Sequence, residues 1–171
     1  MWSVRPARAT AALATREARL REAQPVVPIA PGMGGDSPGA MQRAARYFDG
    51  WFPISASPEL FGRQWREVLA MRREAGRALA AFDGAMYVTV CIDDDVARAE
   101  ACIGQFLESY YPGRGEMMKK YQRWFAGPGA AVADGLVGYA DAGLTHFVIR
   151  FVGDHERQLE ALAGIRVQVG W

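Results

Sequence analysis

The stretch Met33-Gly34-Gly35-Asp36-Ser37-Pro38-Gly39-Ala40-Met41 gathers residues that could hold an anion. Val26, Val27 and Ile29 lead into it as an apolar strand, and two glycines would let the backbone approach a ligand. Ser37-Pro38 is a helix-start signature, with serine as cap and proline at the first helical position. Free amides at such a helix end favour phosphate. Two familiar phosphate loops nevertheless fail here. In the frame Gly32, Gly34, the third glycine of GxGxxG is replaced by Ser37. The Gly34 to Gly39 spacing of a nucleotide P-loop is met, but Ala40 and Met41 stand where lysine and a hydroxyl would bind phosphate and magnesium. A Gly-Gly before a capped helix also serves simply as a tight connection, so the residues alone leave both readings open.

Other residues offer weaker chemistry. Asp93-Asp94-Asp95 could supply oxygen ligands to a hard cation, although carboxylates just before a helix also cap its amides and complement its dipole. No metal site is expected from them. Alternation in the strand around His146 places His146, Val148 and Arg150 on one face, where the histidine and arginine could meet a ligand or be structural. His155, between Asp154 and Glu156, reads as exposed. Cys91 and Cys102 lack a CxxC spacing, which weakens zinc and redox-disulfide readings. No serine lies in a G-x-S-x-G elbow, so hydrolase chemistry is unsupported. The aromatics Tyr110, Tyr111, Tyr121, Trp124 and Phe125 recur at helical spacing and read as core.

Alternating strands and helices must position these residues. After the glycine turn and its helix, residues 49–54 read as a short strand, and Ser57-Pro58-Glu59 starts a helix expected to reach about Leu79. The apolar, β-branched run 85–92 has the pattern of a strand buried on both faces. Helices are expected over 95–110, 116–125 and 130–142, then a strand over 144–152 and a helix over 155–163. This order implies an α/β fold of about four parallel strands joined by right-handed crossovers. Four such units equal half of an eight-stranded barrel, whose ligands sit at the strands' C-terminal ends.

The 171 residues, half of them hydrophobic, suit one domain with a real core. A net charge of +1 provides no general field for nucleic acid or anionic membranes, which points to a small molecule or protein as partner. Two cysteines make no secreted disulfide framework, and the chain has neither a membrane-length apolar run nor the apolar core of a secretory signal. A cytoplasmic protein is expected, although the arginine- and alanine-rich first residues can imitate a transit peptide.

The ordered set Ala18-Arg19-Leu20, Pro25, Pro28, Gly34-Gly35-x-Ser37-x-x-Ala40, Arg43-Ala44-Ala45, Asp49-Gly50-Trp51 and Ser57-Pro58-Glu59 carries a resemblance. Asp93 before Ala97-Arg98-Ala99-Glu100, Gly127-Pro128 and the stretch Tyr139 to Val148 continue it. Together they resemble the C-terminal half of the luciferase-like flavin or deazaflavin-dependent oxidoreductases (monooxygenases), which are TIM barrels. The resemblance implies a lead segment at 1–24, helical or frayed, a half-barrel over 25–163 and an atypical tail at 164–171. It implies FMN or the deazaflavin coenzyme F-420 as cofactor, with Gly34, Gly35, Asp36 and Ser37 at its phosphate; Ala40 replaces a threonine hydroxyl found in some relatives. The family's first four strands, and the histidine usually associated with its catalysis, have no counterpart here, so no catalytic residue is assigned. A homo-oligomer, or pairing with a separate N-terminal half, would complete the barrel. The alternative is a non-catalytic truncated half-barrel acting as a remnant or oligomerisation module.

Overall fold

The computed structural model describes residues 32–54 and 57–169. The expected lead segment and the Val26 to Ile29 strand lie outside them. Five parallel strands form one sheet: β1 (Gly32–Gly34), β2 (Gly50–Phe52), β3 (Asp83–Ile92), β4 (Arg123–Gly127) and β5 (His146–Phe151). The helices are α1 (Pro38–Tyr47), α2 (Pro58–Glu74), α3 (Val96–Tyr110), α4 (Gly115–Tyr121), α5 (Gly129–Asp141) and α6 (His155–Val169). Local signals start three of them as the sequence predicts. Ser37, Ser57 and Asp95 are N-caps whose side chains accept from the backbone amides of Ala40, Leu60 and Arg98. Helix α2 stops at Glu74 rather than Leu79, and α6 runs past Ala163 to Val169.

One element differs in type. Residues 116–125, expected as one helix, divide into α4 and strand β4, which pairs with β3 from Val88↔Arg123 to Ile92↔Gly127. Bulky side chains at 121–125 fit either period, and an open edge of β3 decides between them. The sheet alternates correctly across this pairing: Phe125 joins the cluster of Met86, Val88 and Val90, whereas Trp124 and Ala126 join that of Cys91.

Strand order explains where the helices lie. Asp83 and Asp93 of the β3 segment donate to Asp49 O and Gly127 O, while Gly84 O and Val90 O accept from Thr145 and Val152. Odd positions therefore face β2 and β4, which follow one another along a single edge, and even positions face β5. The chain steps from β1 to β2 to β3, back to β4, and then across to β5. A right-handed crossover keeps its helix on one face for forward steps and on the other for a backward step. Accordingly α1, α2, α5 and α6 pack on the outer face, around Met86, Val88, Val90 and Ile92, while α3 packs on the inner face with Cys91 and Val152. Where β5 ends, Gln158 of α6 takes over as β3's neighbour: its carboxamide accepts from Ile92 N (2.7 Å) and donates to Ile92 O (2.9 Å).

Candidate functional site

The Gly35-Asp36-Ser37 loop leaves the C-terminal end of β1 and enters α1. Gly35 has φ +111°, and a Cβ there would come 3.2 Å from that of Ala40, so the turn requires glycine. Its amide donates to Phe52 O (3.1 Å), and its carbonyl accepts from Trp51 Nε1 (2.9 Å). Asp36 Oδ1 accepts from Ile54 N (2.8 Å), tying the loop to the end of β2. Ser37 Oγ accepts from Ala40 N (3.2 Å), which leaves the hydroxyl proton available to an outside acceptor. Ser37 and Gly39 are exposed at this helix end.

Trp51 is the anchor that sequence reasoning missed as a functional support. It is 1% exposed, and its indole stacks on Phe61 (5.5 Å) and Trp65 (6.3 Å), with Trp65 in turn stacked on Phe82 (5.3 Å). The loop is thus held by a hydrogen bond from the aromatic core. The available signal was a tryptophan inside a three-residue strand, but nothing local points its nitrogen at a residue sixteen positions earlier.

An open cleft of about 520 Å³ runs along the inner face below the loop; Gly34 and Phe52 reach it from strand C-terminal ends and Gly32, Asp49, Asp83 and His146 from the N-terminal ends, while Gly35, Asp36 and Ser37 do not line it. His146 and Arg150 share the inner face, as alternation predicts, with different surroundings. His146 is exposed at the strand's N-terminal end, its Nδ1 2.9 Å from Thr145 Oγ1 and 3.6 Å from Asp83 Oδ1. Arg150 lies higher, its guanidinium within 4.6 to 5.2 Å of the Phe106, Tyr87 and Tyr110 ring centres. It donates to Gln122 Oε1 (2.8 Å) and Thr89 Oγ1 (3.1 Å). Burial is the main cause of the raised pKa of Tyr87 beside it. The aromatic run expected as core divides: Tyr110 and Tyr121 are 60% and 59% exposed, while Trp124 and Phe125 pack inward.

The aspartate run works as a cap. Asp95 caps α3, and Asp93 accepts from Asp95 N (2.9 Å) and from Arg98 Nε (2.8 Å). Those bonds, the Arg98 pair foremost, hold the Asp93 carboxyl down at about 2. Among the described residues, no three His, Cys, Asp or Glu side chains form a metal-binding group. His155 is exposed, as expected.

Parallel β/α units with their connecting loops gathered at the strands' C-terminal ends define this chain as half of a TIM-barrel fold, and three solved structures bear that out. An EDTA monooxygenase from Chelativorans sp. BNC1 aligns with a TM-score of 0.63 at 17% identity, over 84% of this chain and 45% of its own. An F420-dependent secondary alcohol dehydrogenase gives 0.60 at 18%, over 75% and 44%. A coenzyme F420-dependent tetrahydromethanopterin reductase from Methanopyrus kandleri gives 0.57 at 20%, over 78% and 49%. The chain thus spans less than half the length of these structures. Among curated proteins no significant match is found. The model of the luciferase-like monooxygenase family matches residues 5–170, and the chain belongs to that family.

Proposed function

We propose that this chain is the cofactor-phosphate-binding half of a flavin- or deazaflavin-dependent oxidoreductase of the luciferase-like monooxygenase type. The observation that carries the reading is the tethered Gly34-Gly35-Asp36-Ser37 loop, fixed at a strand's C-terminal end, where Gly34 at its base lines an open cleft on the inner face. Its donors fit a phosphate in part. The Ser37 hydroxyl and the exposed Gly39 amide supply hydrogen bonds at the positive end of α1. The Gly35 amide is engaged by Phe52, so Gly35 contributes the turn, and Asp36 contributes the tether to Ile54. Structural neighbours that use F420, together with an EDTA monooxygenase and a riboflavin lyase described with modified FMN, support FMN or F420 as the cofactor. Such a cofactor supplies the hydride or oxygen chemistry, and the chain's own residues bind and orient it.

Completion of the barrel would come from a second copy or a separate N-terminal half. Among the described residues, β1, β4 and β5 each have one edge without a strand partner, and Val148 on the inner face is 47% exposed. No helix among the described residues is long and apolar enough to cross a membrane. We place the protein in the cytoplasm, with Cys91 and Cys102 as free thiols at rest.

Fluorescence titration with FMN, F420 and phosphate-free riboflavin tests the assignment. FMN or F420 should bind, FMN should exceed riboflavin by at least ~10-fold, and Ser37→Ala should weaken FMN by a similar factor. A folded chain that takes up neither cofactor, alone or mixed with an N-terminal half, would overturn it. One observation favours the alternative, a non-catalytic oligomerisation module: α3 covers the upper inner face, where Arg150 is clasped by Tyr87, Phe106 and Tyr110. A colourless, stable oligomer in light scattering would favour that reading.

A further inference from the structure

Cys91 and Cys102 stand apart in sequence, yet the backward step from β3 to β4 lays α3 over the inner face and brings both into one cluster. They line a single cavity of about 200 Å³ together with Asp93, Arg98, Val152 and Arg157. Both thiols are free. Cys91 points from β3 into the packed side of the cavity and is 4% exposed, beside Ile103 and Leu107. Cys102 is half-buried on α3, with its sulfur near Gly153 at the cavity wall.

We propose that Cys91 and Cys102 form a peroxide-responsive dithiol, in which Cys102 is oxidised first and Cys91 resolves it into an intramolecular disulfide. The Cys102 thiolate attacks hydrogen peroxide, breaking the O–O bond, to give a sulfenic acid and hydroxide. The Cys91 sulfur then attacks the Cys102 sulfur and the S–O bond breaks. The hydroxyl leaves with the Cys91 proton as water, so two thiols are oxidised and one peroxide is reduced to two waters. Two features set this order. Cys102 is the more accessible thiol, half-buried at the cavity wall beside Gly153, whereas Cys91 is 4% exposed. Burial first, and then the neighbouring Cys102, push the Cys91 thiol up to about 12, so it is a poor first target. The disulfide would tie α3 to β3 and fix the helix over the inner face. The proposal is independent of any cofactor.

The test treats the folded full-length chain with hydrogen peroxide and reads intact mass and peptide maps. Wild type should lose two hydrogens and yield a Cys91–Cys102 linked peptide. Cys91→Ser should trap a dimedone adduct on Cys102, and Cys102→Ser should give none on Cys91. Without any variant, a small alkylating agent should label Cys102 at least ~10-fold faster than Cys91 in the native protein. Equal labelling of the two thiols, a dimedone adduct on wild-type Cys102 in place of the linkage, or a disulfide between chains would overturn the proposal.

Discussion

Gln158→Glu tests the most economical contact in the sheet, the side-chain amide that stands in for a strand beyond the end of β5. Gln158 is 4% exposed and satisfies both the amide and the carbonyl of Ile92. A protonated glutamic acid can reproduce both bonds, its carbonyl accepting from Ile92 N and its hydroxyl donating to Ile92 O. An ionised carboxylate keeps the first bond, but turns a negative oxygen on the Ile92 carbonyl and is buried. The folded-state pKa of the new carboxyl is therefore raised above its unfolded value of roughly 4.3. For a raised acid, stability is retained below the unfolded value and is lost as pH rises towards the folded value. The loss accrues at about 1.4 kcal/mol per pH unit and approaches roughly 4 kcal/mol by pH 7 where the folded value lies above 7, a large share of a small domain's stability. Gln158→Leu should instead lose ~2–4 kcal/mol at every pH, because two backbone groups are left without partners. Urea unfolding of wild type and both variants from pH 4 to 8, at constant m, reads the difference. If Gln158→Glu follows the wild-type pH profile, the two-point contact does not exist in solution.

Three further substitutions probe the loop and the caps. Trp51→Phe removes the indole donor to Gly35 O and should cost ~1–3 kcal/mol in urea unfolding, with a parallel loss of FMN affinity; unchanged affinity would separate the loop from the cofactor. Ser37→Ala deletes the α1 cap and should lower stability by ~1 kcal/mol, read from the same midpoints. Asp93 has its pKa lowered from 3.8 to about 2, so its contribution is fully present above the ordinary value and disappears as pH falls through about 2. Asp93→Asn should remove that component of acid unfolding, which circular dichroism between pH 5 and pH 1.5 would detect.

Local chemistry was legible in the sequence and long-range chemistry was not. Ser37-Pro38, Ser57-Pro58 and Asp95 announced three helix starts because a cap acts within three residues. Strict alternation placed His146 and Arg150 on one face, since a strand has a period of two. The glycine turn was visible as well, but its donors were not: the Gly35 amide is taken by Phe52, across a strand pairing. Gln158 reads as an ordinary polar helix residue until the end of β5 leaves Ile92 beside it. Strand β4 was hidden because Tyr121, Trp124 and Phe125 satisfy a helical spacing as readily as a strand, and only the free edge of β3 distinguishes them.

That hidden strand changes what assembly requires. Without it, every crossover would run forward, every helix would pack on the outer face, and the whole inner face would await a partner. The backward step to β4 instead places α3 over Cys91 and Val152, while Ala85 and Val148 stay beside the open cleft. A partner half-barrel should therefore dock on the edges of β1, β4 and β5 that lack a strand partner among the described residues, and on the lower inner face, leaving α3 in place. Hydrogen exchange on the assembled protein, compared with the isolated chain, should show new protection in β1 and β5 and little change from Val88 to Cys91, whose amides are already paired across the sheet. Changes concentrated in α3 would mean that the helix leaves the sheet when the barrel closes, and crossover handedness would then fail to account for the assembled form.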